Sequence, residues 1–221
     1  MKMLLLQNQK MKVNPTKEGI LKRIRQALTQ TVPIPFSNLE DTNLFHQPSE
    51  DLEIDFAENF TSLQGKFSYC NSLQELSEQL HQLVKSRELH NIFCTDDILK
   101  NLLKTNGFEK LDFPNLKSCD AAITGCEFLV ARTGSIFLSS SNDSSGRTTS
   151  VYAPIHICIA YTNQLVPDIK DGLLQMQIKY KKNLPSFITL ATGPSRTADI
   201  EKTLVVGIHG PKEVYVFLLE K

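Results

Sequence analysis

Residues 192–201 read TGPSRTADIE: a glycine and a proline end an apolar run, Ser195, Arg196 and Thr197 follow, and then Asp199 and Glu201. A guanidinium forks onto a carboxylate or a phosphate, and hydroxyls beside the bare backbone of Gly193 can line the same anion. Ser195 or Thr197 can also cap a following helix, with the two carboxylates in its first turn. A helix start after a strand is itself an anion site, through its free N–H groups. Shortly downstream, VVGIHGP holds His209 between glycines and a proline, a constrained turn. A short helix folding back would put this imidazole near Asp199, where it could orient or move a proton.

Two further loops carry candidate groups. In GCEFLVARTGS, residues 125–135, Glu127 is of the type used as acid, base or carboxylate nucleophile, on an expected helical turn with Phe128 and Ala131. Thr133, Gly134 and Ser135 offer hydroxyls and open backbone to a phosphate or carboxylate. SSSNDSSGRTTSV, residues 139–151, contributes Arg147 as a second anion clamp on a ligand-binding loop. Each has an ordinary alternative: a solvated glutamate, a tight turn, a solvated serine-rich loop. His156, at the head of an apolar run, reads as a structural residue.

The elements that would position these loops alternate in type. Asn14-Pro15 is a helix start, followed by an apolar face of Ile20, Leu21, Ile24, Ala27 and Leu28 opposite Lys17, Lys22, Arg23 and Arg25. A proline-bearing, polar, irregular connection covers 31–50, and Leu52, Phe56, Phe60 and Leu63 recur at helical spacing. From residue 66, short apolar runs at 67–70, 91–94, 121–124, 135–139, 155–160, 186–191 and 213–219 read as strands. Helices are expected after a Ser72–Glu75 capping box, after Thr95 with Gly107 closing it, and over 167–180. This interleaving predicts an α/β fold with a mostly parallel sheet covered on both faces, residues 66–221, preceded by a helix and arm over 1–65 that pack on it. In such sheets ligands sit beyond the carboxyl ends of the strands, so loops after strands are the places to search.

Bulk properties set the outer bounds. Lys+Arg and Asp+Glu are equal at 24 each, which argues against a broad nucleic-acid or anionic-membrane surface and leaves room for a local basic site. Five cysteines occur without any CxxC, so no metal or iron–sulfur ligand set is expected, and Cys70, Cys94 and Cys158 in apolar runs read as buried thiols of a cytoplasmic protein. The run of four apolar residues in MKMLLLQNQK is shorter than the roughly 7–15 of a secretory segment, and no stretch reaches the roughly 18 of a membrane span. No GxGxxG or Walker motif is present.

Taken together, TGPSRTADIE…VVGIHGPKEVYVFLL, DAAITGCEFLVARTGSIFL and SSGRTTSVYAPIHICI resemble, in order, segments of the lactate utilization protein C family, the LUD-domain proteins. The resemblance is clearest over 119–219. It implies a Rossmann-like sheet flanked by helices, similar to the sugar-phosphate isomerase and CoA-transferase-like fold. It also implies a role as subunit of a complex oxidising L-lactate to pyruvate, with iron–sulfur clusters on partner proteins. Arg132 departs from the pattern, because typical members place an acidic residue before Thr-Gly-Thr. Two other readings stand beside this one: a separate enzyme of the CoA-transferase or sugar-phosphate class using Glu127, and a non-catalytic assembly module docking through the basic helix and arm.

Overall fold

The computed structural model describes residues 15–29, 51–141, 148–200 and 203–221. The chain divides into two compact units, Met1–His46 and Gln47–Lys221. In the first, α1 spans Pro15–Leu28. The second opens with α2 (Leu52–Ser62), β1 (Lys66–Cys70), α3 (Leu73–Ser86), β2 (Ile92–Phe93) and α4 (Asp97–Thr105). It continues with β3 (Ala121–Thr124), β4 (Phe128–Val130), β5 (Ser135–Ser139), α5 (Thr149–Tyr152), β6 (Ile155–Tyr161) and β7 (Leu165–Val166). It closes with α6 (Ile169–Tyr180), β8 (Ile188–Ala191), β9 (Arg196–Ile200), β10 (Thr203–Val206) and β11 (Glu213–Leu219).

The principal sheet is five-stranded, in the order β1-β11-β6-β3-β2, and every pairing in it is parallel. Side chains alternate across a strand, and both faces are covered. On one face Ile155, Ile157 and Ile159 of β6 and Phe217 and Leu219 of β11 meet the apolar stripes of α3 and α4. On the other, Cys158, Ala160, Val214, Val216 and Leu218 meet Phe56 and Phe60 of α2 and Leu129, Ile136 and Leu138 of a second sheet. That second sheet is four-stranded, β7-β4-β5-β8, with β5 antiparallel to both of its neighbours. Its outer face, Val130, Phe137 and Val166, packs on Met176 of α6. The helix α2, which the sequence reading groups with the N-terminal arm, therefore contributes two fully buried phenylalanines to the central core.

Helix signals read from the sequence are mostly present. The Ser72 hydroxyl accepts from the Glu75 N–H, while the Glu75 carboxylate accepts from Asn71 one residue upstream. Gly107 ends α4 at φ +91°. Asp96, not Thr95, caps α4, accepting from the Ile98 and Leu99 N–H groups. Asp168 and Asp171 form the capping box of α6.

Two expectations fail for physical reasons. The expected helical turn around Glu127 is instead the strand β4 and a 3-10 turn, Ala131–Thr133. Both faces of β4 are buried, Leu129 against α2 and Val130 against α6, so the period-two signal disappears into one apolar run. The helix expected from Ser195 onward is the strand β9, paired antiparallel with β10. Backbone bonds from the Ser195 N–H to the Pro211 carbonyl (2.9 Å) and from the Gly207 N–H to the Ser195 carbonyl (2.9 Å) close this hairpin, and tertiary pairing overrides the local capping residues. The preceding strand β8 is antiparallel to β5, so the TGPSR loop does not follow a parallel strand.

Truncating Phe60, which has no exposed surface, removes the contact joining the two sheets. Phe60→Ala is expected to lower unfolding stability by about 3–5 kcal/mol in urea denaturation.

Candidate functional site

Most of the residues singled out from sequence converge around the carboxyl end of α2. The 3-10 turn Ala131–Thr133 is held from one side by Asn59, whose Nδ2 donates to the Ala131 carbonyl at 3.0 Å. From the other side, Arg132 donates from Nε and Nη2 to the two carboxylate oxygens of Asp168, at 2.8 and 2.9 Å, and its N–H bonds the Pro167 carbonyl. Arg132, the departure from the family pattern, is thus the clamp between this turn and the cap of α6. Gly134 follows at φ +57°, where a Cβ would stand 2.5 Å from the Phe60 nitrogen, so the turn lies directly on the α2 backbone. Only glycine satisfies both the left-handed conformation and that approach.

Beyond the turn, three hydroxyls form a chain. The buried Ser135 Oγ lies 2.8 Å from Thr133 Oγ1 and 2.8 Å from Thr192 Oγ1. Thr192 leads to Gly193 at φ +75°, where a Cβ would lie 2.7 Å from the Leu63 carbonyl oxygen. The Arg196 guanidinium donates to the same carbonyl. Ser195 joins the 207–211 turn through the backbone bonds already given, and Gly210 packs on Ser195, with a Cβ there coming within 2.8 Å of the serine Cβ. His209 is exposed in that turn, and Thr197 is half-buried on β9. Thr133, Gly134, Ser135, Gly193, Ser195 and Arg196 therefore share one neighbourhood, floored by the last turn of α2. It lies at the amino ends of the parallel strands, because the 207–211 turn runs into β11 and the Lys212 N–H bonds the Pro154 carbonyl just before β6. The rule placing ligands at the carboxyl ends does not locate it. Arg147 lies outside the described residues, as does the side chain of Asp199.

Glu127 stands apart. It follows β3, at the carboxyl side of the principal sheet, and pairs toward the Ser139 end of β5. That end is about 13 Å from Ser135 at strand rise. Its carboxylate has no exposed surface. Oε1 accepts from the Ser139 hydroxyl at 2.5 Å and the Tyr180 hydroxyl at 2.7 Å, and Oε2 accepts from Lys179 Nζ at 2.7 Å. Burial opposes the Lys179 ammonium, but the adjacent carboxylate outweighs it and raises the lysine pKa. A carboxylate enclosed by three donors is a pin joining the end of α6 to the end of β5. Sequence reasoning missed all three partners, which carry no spacing signal linking them to Glu127. His156 is likewise structural, fully buried with Nε2 at 2.8 Å from Thr124 Oγ1.

A chain whose loops meet in this way has known relatives. Residues 54–219 match the LUD domain, so the chain belongs to the LUD-domain family. It is similar to lactate utilization protein C of Deinococcus radiodurans, with 31% identity over 109 residues covering 49% of this chain and 50% of that protein. It is also similar to lactate utilization protein C of Bacillus subtilis, with 35% identity over 113 residues covering 48% and 47%. The chain thus spans about half the length of the curated relatives it matches. A crystal structure of a DUF162 family protein from Deinococcus radiodurans superposes with TM-score 0.56 at 18% identity, covering 76% of this chain and 96% of the other, which establishes the shared fold.

Two outcomes are expected from this site. Glu127→Ala should lower stability by about 2–3 kcal/mol in urea denaturation, since it removes the shared acceptor of the Ser139 and Tyr180 hydroxyls and of Lys179. The Arg132 guanidinium holds the Asp168 pKa below the ordinary carboxylate value. A depressed native pKa stabilises above the unfolded value, near pH 4, and that stabilisation is lost as pH falls through the native value. Asp168→Asn should therefore flatten the acid limb of the stability–pH curve measured by denaturant unfolding.

Proposed function

We propose that this chain acts in lactate utilization, as the subunit of an L-lactate-oxidising assembly whose iron–sulfur clusters reside on partner proteins. Family membership together with the convergence of three separate loops on the end of α2 supports this reading. The five cysteines are each buried, in separate parts of the core: Cys70 and Cys94 under α3 and α4, Cys126 and Cys158 under α2, and Cys119 in a third cluster. The clusters are assigned to partner proteins in this reading, with these buried thiols serving as core side chains.

In this reading the hydroxyls of Thr133, Ser135 and Thr192 and the guanidinium of Arg196 face a small carboxylate or the partner's surface. The Leu63 carbonyl engages one N–H of Arg196, and a guanidinium has five. His209, exposed on the neighbouring turn, can orient or move a proton at the ligand's hydroxyl, with Arg147 a further candidate clamp. A separate acyl-transfer enzyme built on Glu127 is disfavoured by the enclosure of that carboxylate.

Purified with its iron–sulfur partners, the chain should support lactate oxidation with an artificial electron acceptor, and Ser135→Ala should reduce it on the order of tenfold or more while leaving the fold intact. Undiminished oxidation by the partners without this chain would overturn the proposal.

A further inference from the structure

Along helix α1 every residue from Glu18 to Gln26 is exposed, with Ile20 at 54%, Leu21 at 37% and Ile24 at 49%. These three apolar side chains lie together on one side at 100° per residue. Arg23 and Arg25 fall roughly 100° to either side of the stripe's centre, so a cation flanks the apolar strip on both edges. The helix carries Lys17, Lys22, Arg23 and Arg25 against Glu18 alone, which makes it +3. The whole chain has 24 of each sign, so the remaining residues carry 20 cations and 23 anions, net −3. The neutral total conceals a basic helix on a chain that is otherwise acidic.

This helix is also poorly suited to standing alone. It has 14 residues, and Gly19 sits in its second turn with nothing within 4 Å of the position a Cβ would take. No packing reason accounts for the glycine, and an isolated helix of this length is marginal in water. Such a helix gains its stability from a surface that takes its apolar strip.

We infer that α1 is an interfacial helix that docks on an anionic phospholipid surface, with Ile20, Leu21 and Ile24 inserted and Arg23 and Arg25 paired with headgroup phosphates. A basic amphipathic helix that is more polar than apolar lies in the plane of such an interface, its long cationic side chains reaching outward from the apolar strip. Cations on both edges favour a lipid plane, which presents phosphate on either side of the inserted strip. A protein groove would need two acidic rims at matching separation. Lipid docking through α1 is independent of the proposed role in lactate oxidation.

The test uses the full chain and sedimentation with large vesicles of phosphatidylglycerol and phosphatidylcholine, against vesicles of phosphatidylcholine alone. The chain should pellet with the anionic vesicles only, and should be released as sodium chloride shortens the screening length from about 10 Å at 0.1 M to about 3 Å at 1 M. Arg23→Glu with Arg25→Glu, and separately Ile20→Ser with Ile24→Ser, should each weaken binding by at least roughly tenfold. Thermal unfolding of both variants should match the wild type, because α1 lies outside the unit that holds the core. Absence of wild-type binding to anionic vesicles would overturn the inference and leave an acidic protein groove as the occupant. Binding unchanged in both variants would overturn it as well.

Discussion

The last turn of α2 is the constraint on which the candidate site depends. Two loops far apart in sequence press their backbones onto it, at Gly134 against Phe60 and at Gly193 against Leu63. Each contact leaves no room for a Cβ, and each glycine has a positive φ, so the loops are fixed by steric necessity as much as by hydrogen bonds. The phenylalanines of the same helix fill the space between the two sheets, which ties the placement of the loops to the integrity of the central core. Asn59 and the Leu63 carbonyl complete the arrangement by bonding the Ala131 carbonyl and Arg196.

Around this pivot the charged groups divide into structural and available sets. Arg132 is engaged in a bidentate pair with Asp168, which also caps α6. Glu127 is enclosed by Ser139, Lys179 and Tyr180. Both knit α6 to the second sheet. Arg196, by contrast, is exposed where its loop meets the Leu63 carbonyl, and His209 is exposed on the 207–211 turn that bonds Ser195. Ionic groups paired within the fold hold the scaffold, while exposed ones on constrained turns can meet a ligand.

The strands and helices with clear periodicity were legible in the sequence. The stripe of Leu76, Leu80, Leu83 and Val84 fixes α3, and the runs that became β3, β5, β6 and β11 lie close to their predicted positions. The strand β4 was not legible, since burial on both faces erases alternation, and β7 is only two residues long. The β9–β10 hairpin was hidden because Ser195, Thr197 and Asp199 are good helix-capping types, and the backbone bonds to Pro211 and Gly207 that override them are tertiary. For the site, the polar turns at 133–135, 193–196 and 207–211 stood out by residue type. The α2 contribution did not, because a backbone carbonyl and a bare glycine approach leave no side-chain signal. The partners of Glu127 were equally invisible, lying 12, 52 and 53 residues away in sequence.

The proposed function requires that a small carboxylate or partner group be held where these loops meet. Crystallographic difference density after soaking with pyruvate is the direct test. A carboxylate is expected within hydrogen-bond distance of Thr133, Thr192 or Arg196, at the amino ends of the parallel strands. Ordered pyruvate beside Glu127 instead, or density nowhere near the end of α2 at saturating ligand, would contradict a carboxylate site where these loops meet.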